Sequence, residues 1–202
     1  MKASTDTRQR LLDSARELLY SRSYGNVGVK EICDMAGVQK GSFYHFFPSK
    51  QELTLAVLDE FFIISKQEIF SRSFRSEWSG MQQLKALLEN IYVFQKSTKE
   101  QIGKTLGCPY GNMSSEMSTQ DEIIRQRLNG LLQQMEMSLK TALDQALHEG
   151  EIAPCNTAAT AAAMFAFIEG LMLLAKTRND PELIREIGAA MLTIRIGEQA
   201  AT

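Results

Sequence analysis

Residues Val29 to Lys50 read VKEICDMAGVQKGSFYHFFPSK, and they constrain the chain more than any other stretch. Val29, Ile32, Cys33 and Ala36 recur at helical spacing, Gly37 breaks the pattern, and Lys40 to Phe46 restores it with Phe43 pointing inward. Pro48 stops the second segment, and Ser49 with Glu52 three positions on forms the signature of a new helix start. Two short helices joined by a tight glycine turn make a helix-turn-helix. The second of them carries Lys40, Ser42, Tyr44 and His45, and such a helix is the element usually delivered into the DNA major groove.

The charge distribution agrees with a local DNA-facing end. Formal net charge is only −2, yet residues 1–50 hold eight basic against five acidic side chains and the remainder is acidic. Cys33, Cys108 and Cys155 form no CxxC pair, and with only His45 and His148 available no metal site or cofactor is expected. The N-terminus lacks the apolar stretch of a signal peptide. The longest apolar run, Ala161 to Ala175, contains Glu169 and reads as too short to span a bilayer. A cytoplasmic protein with no membrane partner is expected.

Strand signals are almost absent, so the fold class expected is all-α. Leu11, Leu12, Ala15, Leu18 and Leu19 make one stripe on a first helix whose start Thr5 or Asp6 would cap. A long helix from about Lys50 to Arg72 would connect an N-terminal DNA-binding domain, 1–49, to a ligand-binding and dimerisation domain, 50–202. Further helices are expected from Gly80 to about Ile102 and from Gln120 to Glu149, the latter opened by Ser118 or Thr119. Two more run from about Thr157 to Arg178 and onward from Asp180-Pro181. Between the first two of these lies Gly103 to Asn112, a segment punctuated by three glycines and Pro109.

DNA recognition needs phosphate contacts for position and base-edge contacts for sequence. Lys40 is the candidate for a base edge, since a lysine donates to guanine O6 or N7. Tyr44 offers a hydroxyl to phosphate, and Lys50 and Lys30 stand at helix starts where charge and free N–H groups meet an anion. Gln39, Gly41, Ser42 and His45 complete the candidate surface, with Gly41 permitting close backbone approach. The competing reading makes Tyr44 and Phe46 core residues and leaves the lysines solvated.

These residues resemble the DNA-binding domain of TetR/AcrR-family transcriptional regulators. The likeness is carried by Ile32, Ala36, Gly37 and Val38, then by Lys40 to Phe47, then by Lys50 and Leu53. Gly107-Cys108-Pro109-Tyr110-Gly111-Asn112 resembles a glycine-cysteine-x-x-glycine-asparagine segment of a subset of that family, as does Glu169-Gly170-Leu171 with Ala175-Lys176. The resemblance implies about nine helices, a homodimer, a palindromic double-stranded DNA operator, and repression released by a small-molecule effector. Gln39 and Gly28 depart from the family pattern at the helix caps.

The helix from Thr157 carries the small residues Ala158, Ala159 and Ala161 to Ala163 and is apolar nearly all round. It is either a core helix or, with the last helix, a dimer interface. A two-fold operator reader needs a dimer, which favours the second. Ten methionines suit an adaptable cavity. Trp78, Tyr92, Phe94, Tyr110, Met113, Met117, Met135 and Phe165 are its candidate lining, and simple core filling is the alternative for each. Cys108, ahead of a helix N-terminus, is either an electrophile sensor or a small buried residue. Likeness to electrophile-responsive members of the subset implies Lys176 as its ammonium neighbour. Cys33 is expected in the core and Cys155 exposed in a turn. A Cys108–His148 enzyme is disfavoured for want of an orienting partner, and a constitutive DNA-binding protein is the remaining alternative.

Overall fold

The computed structural model describes residues 2–197, with side chains from Asp6 onward, and every regular element described is helical. We number nine helices among the described residues. They are α1 (Lys2–Ser21), α2 (Val29–Ala36), α3 (Lys40–Phe46), α4 (Lys50–Ser65, continued through Ser73), α5 (Gly80–Ile102), α6 (Pro109–Met117), α7 (Glu122–His148), α8 (Thr157–Arg178) and α9 (Glu182–Ile187, continued to Thr193). The chain forms two compact units. The first holds residues up to Ile63 together with Pro109–Asn129, and the second holds Ile64–Cys108 and the chain from Gly130 on.

In the first unit the α1 stripe is buried as its spacing dictates, with Leu11 and Ala15 fully enclosed. It packs against α2, and Ile32, Cys33, Phe43, Phe47, Leu53 and Val57 of the same unit are likewise removed from water. Gly37 ends α2 in the left-handed region, φ 63°, where a side chain would be strained. The turn is closed by Val38 N–H donating to the Cys33 carbonyl at 2.9 Å and by Arg10 donating to the Ala36 carbonyl at 3.1 Å. Gly28 and Gln39 sit at the N-caps of α2 and α3 without a side-chain bond, as their identities imply. Ser49 accepts from Glu52 N–H at 3.1 Å and opens α4.

Two expected caps are corrected. The first helix begins at Lys2, so Thr5 and Asp6 lie inside it; Asp6 pairs instead with Arg10 one turn on, and the Thr5 side chain lies outside the described residues. The long helix α7 is opened by Asp121, which accepts from Ile123 and Ile124 N–H, both at 3.0 Å. Ser118 and Thr119 are unavailable because Ser118 to Asp121 turn back onto the end of α6, through bonds to the Ser114 and Met117 carbonyls.

In the second unit α5 starts with a complete capping box between Ser79 and Gln82. Gly80 follows, pressed against the α7 backbone at Ala142 and Ala146. Buried Gln83 donates to the Arg75 and Trp78 carbonyls and to Gln145 Oε1, which joins α5, α7 and the preceding loop through one amide. The single helix expected over 50–72 contains a π turn, Lys66–Phe70, where Ser71 N–H reaches back five residues to Lys66. Ser73, fully buried, donates to the Ile69 carbonyl and accepts from Asn90, so the helix end is pinned in a fixed register. The last helix likewise tightens, into a 3-10 turn Gly188–Thr193, where a Cβ on Gly188 would meet the Leu88 and Leu171 side chains at 3.5 Å.

Cys155 is buried at 5% exposure, not exposed as its turn position suggested. The C-terminal segment lies over that turn: Asn156 N–H donates to the Ile196 carbonyl, and Ile196 N–H to Thr160 Oγ1. The apolar segment also proves longer than the run from Ala161 to Ala175. Helix α8, Thr157–Arg178, is long and apolar enough by length and composition to cross a membrane. Thr160, Met164, Ile168, Leu171 and Ala175 bury one side of it within the unit, as in a core helix.

Candidate nucleic-acid interface and effector segment

The α3 surface follows from its sequence. Phe43 is fully enclosed and anchors the helix, which turns Gln39, Lys40, Gly41, Ser42, Tyr44 and His45 outward, all exposed. Tyr44 is 48% exposed, which removes it from the core. Its ring stands edge-on to Phe43 at 5.1 Å, and the Lys40 ammonium lies 6.0 Å from its centre. A Cβ at Gly41 would meet nothing within 4 Å, so no packing within the chain demands glycine there. Lys30 is exposed at the start of α2. Lys50 is placed differently: its ammonium donates to the Tyr24 carbonyl and lies 3.8 Å from the Tyr24 ring centre, and burial lowers its pKa. Two of its three donors remain for other partners.

Of the candidate lining residues, Tyr110, Met113 and Met117 share one buried face of α6 in the first unit. Met135 and Phe165 are buried in the second unit, where Trp78 and Phe94 are half-buried. Tyr92 is already engaged. Its hydroxyl donates to Glu182 at 2.8 Å and accepts from Lys96, and Arg185 lies 4.3 Å from its ring centre. An open groove of about 160 Å³ between α5 and α9 is lined by Lys85, Leu88, Glu89, Ile184, Arg185, Ala189 and Leu192, none of them an expected ligand residue.

The segment from Gly103 to Cys108 is held by two amides. Buried Gln95 both donates to the Gly107 carbonyl at 2.9 Å and accepts from its N–H at 3.1 Å. Asn179, the left-handed C-cap of α8, accepts from Thr105 N–H at 2.8 Å and donates to the Gly103 carbonyl at 3.2 Å. Gly107 has φ 72°, and a Cβ there would press on the Met172 carbonyl and the Lys176 stem at 3.3–3.4 Å. Cys108 is buried at 7% exposure and its thiol bonds to the Glu169 carboxyl. Burial pushes the Glu169 pKa up, the thiol bond opposes that shift, and its Oε1 is buried without a partner. Glu169 was findable in the sequence as the one charged residue inside the run from Ala161 to Ala175. Gln95 and Asn179 carried no such signal. We expect Gln95→Leu, close in volume, to cost about 2–3 kcal/mol through two lost buried hydrogen bonds; chemical denaturation reads it.

Along α8 as far as Leu174 the exposed positions are Ala158, Ala162, Ala166, Gly170 and Leu174, one per turn, beside Leu173 at 61% exposure. Ile187 and Ile196 are also exposed, at 42% and 40%. His148 is exposed at the end of α7 while Cys108 is buried. Among the described residues no three His, Cys, Asp or Glu side chains group as metal ligands.

A helix-turn-helix with an outward recognition helix, carried on an all-helical chain, is the architecture of a DNA-binding transcriptional regulator rather than an enzyme. Residues 11–57 match the family described as bacterial regulatory proteins of the tetR family. Residues 80–191 match the tetracyclin repressor-like C-terminal domain. The chain belongs to the TetR family of transcriptional regulators. It is 31% identical over 175 residues to an uncharacterised HTH-type transcriptional regulator in the lacX 3' region of Lactococcus lactis, covering 87% of this chain and 86% of the relative. It is 29% identical over 178 residues to the transcriptional regulator AcuR of Cereibacter sphaeroides, covering 86% and 78%. The crystal structure of the reduced form of Escherichia coli NemR superposes with a TM-score of 0.75 at 23% identity, over 96% of this chain and all of that one.

Proposed function

We propose that the chain is a homodimeric, cytoplasmic repressor that holds a palindromic operator through α3 and releases it when a small apolar or electrophilic effector binds the region 50–202. The outward row on α3 carries the reading. Its side chains are those that base edges and phosphates take up, and an otherwise acidic chain keeps its basic surplus in residues 1–50, the stretch that holds this helix. In this reading Lys40 meets a base edge, while Lys30, Tyr44 and Lys50 meet phosphate. Gln39, Ser42 and His45 flank them, and Gly41 lets the backbone close on the duplex. The once-per-turn apolar row of α8 with Ile187 supports a two-fold interface between copies, since small residues permit close helix approach. The residues of the expected lining other than Tyr92 stand as effector contacts.

A second reading is favoured by one observation, the bond between the Cys108 thiol and the buried Glu169 carboxyl. That carboxyl is placed to receive the thiol proton when an electrophile adds to the sulfur, and the Lys176 stem packs over Gly107, the residue before the cysteine. NemR, crystallised in a reduced form, is a relative of this fold. Fluorescence anisotropy with a duplex selected by the protein tests both readings. We expect N-ethylmaleimide to weaken wild-type binding and to leave Cys108→Ser unchanged; release of DNA by the treated serine variant contradicts the sensor role.

A further inference from the structure

Helix α6, which starts directly after Cys108, is tied to the DNA-binding module by one carboxylate. Glu116, in the last turn of α6, accepts from Tyr24 N–H through Oε2 and from Gly25 N–H through Oε1, both at 2.7 Å. Two consecutive backbone donors on one carboxylate form an anion nest, with each bond strengthened by the charge. Gly25 makes room for it, since a Cβ there would stand 3.2 Å from Oε1. The other side of the same peptide group is also engaged, because the Tyr24 carbonyl accepts from the Lys50 ammonium at the start of α4. Burial raises the Tyr24 pKa, with Asp121 and Glu116 adding to it. The residue pair Tyr24-Gly25 lies in the connection between α1 and α2, and α2 leads directly into α3. Two neighbouring ties, Gln51 to Asp121 at 2.6 Å and Arg127 to Asp59 at 2.7 Å, join only side chains.

We propose that Glu116 is a positioning residue for operator binding: by holding the Tyr24–Gly25 turn it sets the α2–α3 pair and the Lys50 ammonium in the DNA-competent arrangement, and a displacement of α6 removes that restraint. The proposal rests on DNA binding through α3 and is independent of the effector's identity. Its sign separates it from simple electrostatics. Removing a carboxylate from a DNA-binding module strengthens phosphate attraction, so a purely Coulombic Glu116 predicts tighter binding by its neutral variant.

The test uses the full chain and a duplex recovered by the wild type from a random-sequence pool. Glu116→Gln, which cannot accept from both N–H groups as a charge, is expected to bind about tenfold more weakly. The amides of Tyr24 and Gly25 are expected to exchange faster with deuterium. Glu116→Asp keeps the charge but falls one methylene short, and it is expected to weaken binding as well; it also serves if the glutamine variant does not fold. Equal or tighter binding by either variant overturns the proposal. A wild type that recovers no duplex overturns the DNA-binding assignment and the proposal with it.

Discussion

Replacing Gly80 by alanine is expected to destabilise the protein by about 3 kcal/mol or more, a fall of roughly 6–12 °C in Tm for a chain of this size. A Cβ at residue 80 would stand 2.1 Å from the Ala142 carbonyl oxygen, 2.5 Å from Ala146 N and 2.8 Å from Ala146 Cβ. Two of these are backbone atoms in the last two turns of a 27-residue helix and have no rotamer by which to yield. Helices α5 and α7 must therefore part, which pulls the buried Gln83 from Gln145 and opens the layer around Leu84 and Leu87. Alanine's better helix propensity opposes this by at most about 1 kcal/mol, so the clash decides the sign. Gly130, in the same α7 helix with nothing within 4 Å of its Cβ position, is the control. Gly130→Ala is expected to raise stability by about 0.5–1 kcal/mol. Thermal and urea unfolding of the two variants beside the wild type checks both.

The second large effect falls on DNA. Lys40→Ala and Tyr44→Ala are each expected to weaken operator binding by about 1–3 kcal/mol, roughly 5- to 150-fold, with unfolding unchanged because both side chains are exposed. The two losses differ in kind. Lys40→Ala should relax sequence preference at one base pair of each half-site. Tyr44→Ala should weaken selected and unselected duplexes alike, as loss of a phosphate contact does. Titration against single-base variants of the selected duplex separates them.

The recognition module was legible in the sequence because each of its signals is local. A helical repeat buries Ile32, Cys33 and Phe43, a glycine occupies the left-handed turn at Gly37, and a serine caps the next helix at Ser49. The residues misread or missed owe their state to distant segments. Cys155 is covered by chain that arrives at Ile196, and Asp121 caps α7 because the end of α6 has taken Ser118 and Thr119 into its own closing turn. The π turn precedes a helix end whose Ser73 is held by Asn90 across a gap in sequence. Gln95, Asn179 and Glu116 act by satisfying backbone groups of other elements, and such a role leaves no periodicity and no motif.

The central claim, that paired copies present residues 40–46 to successive major grooves, is tested most directly by selecting duplexes from a random pool and counting the chains bound per recovered duplex. The account predicts an inverted repeat whose half-sites lie about 10 base pairs apart or a multiple of that, occupied by chains in even number and lost with Lys40→Ala. An asymmetric site held by a single chain, or a repeat that Lys40→Ala and Tyr44→Ala bind as tightly as the wild type, would contradict it.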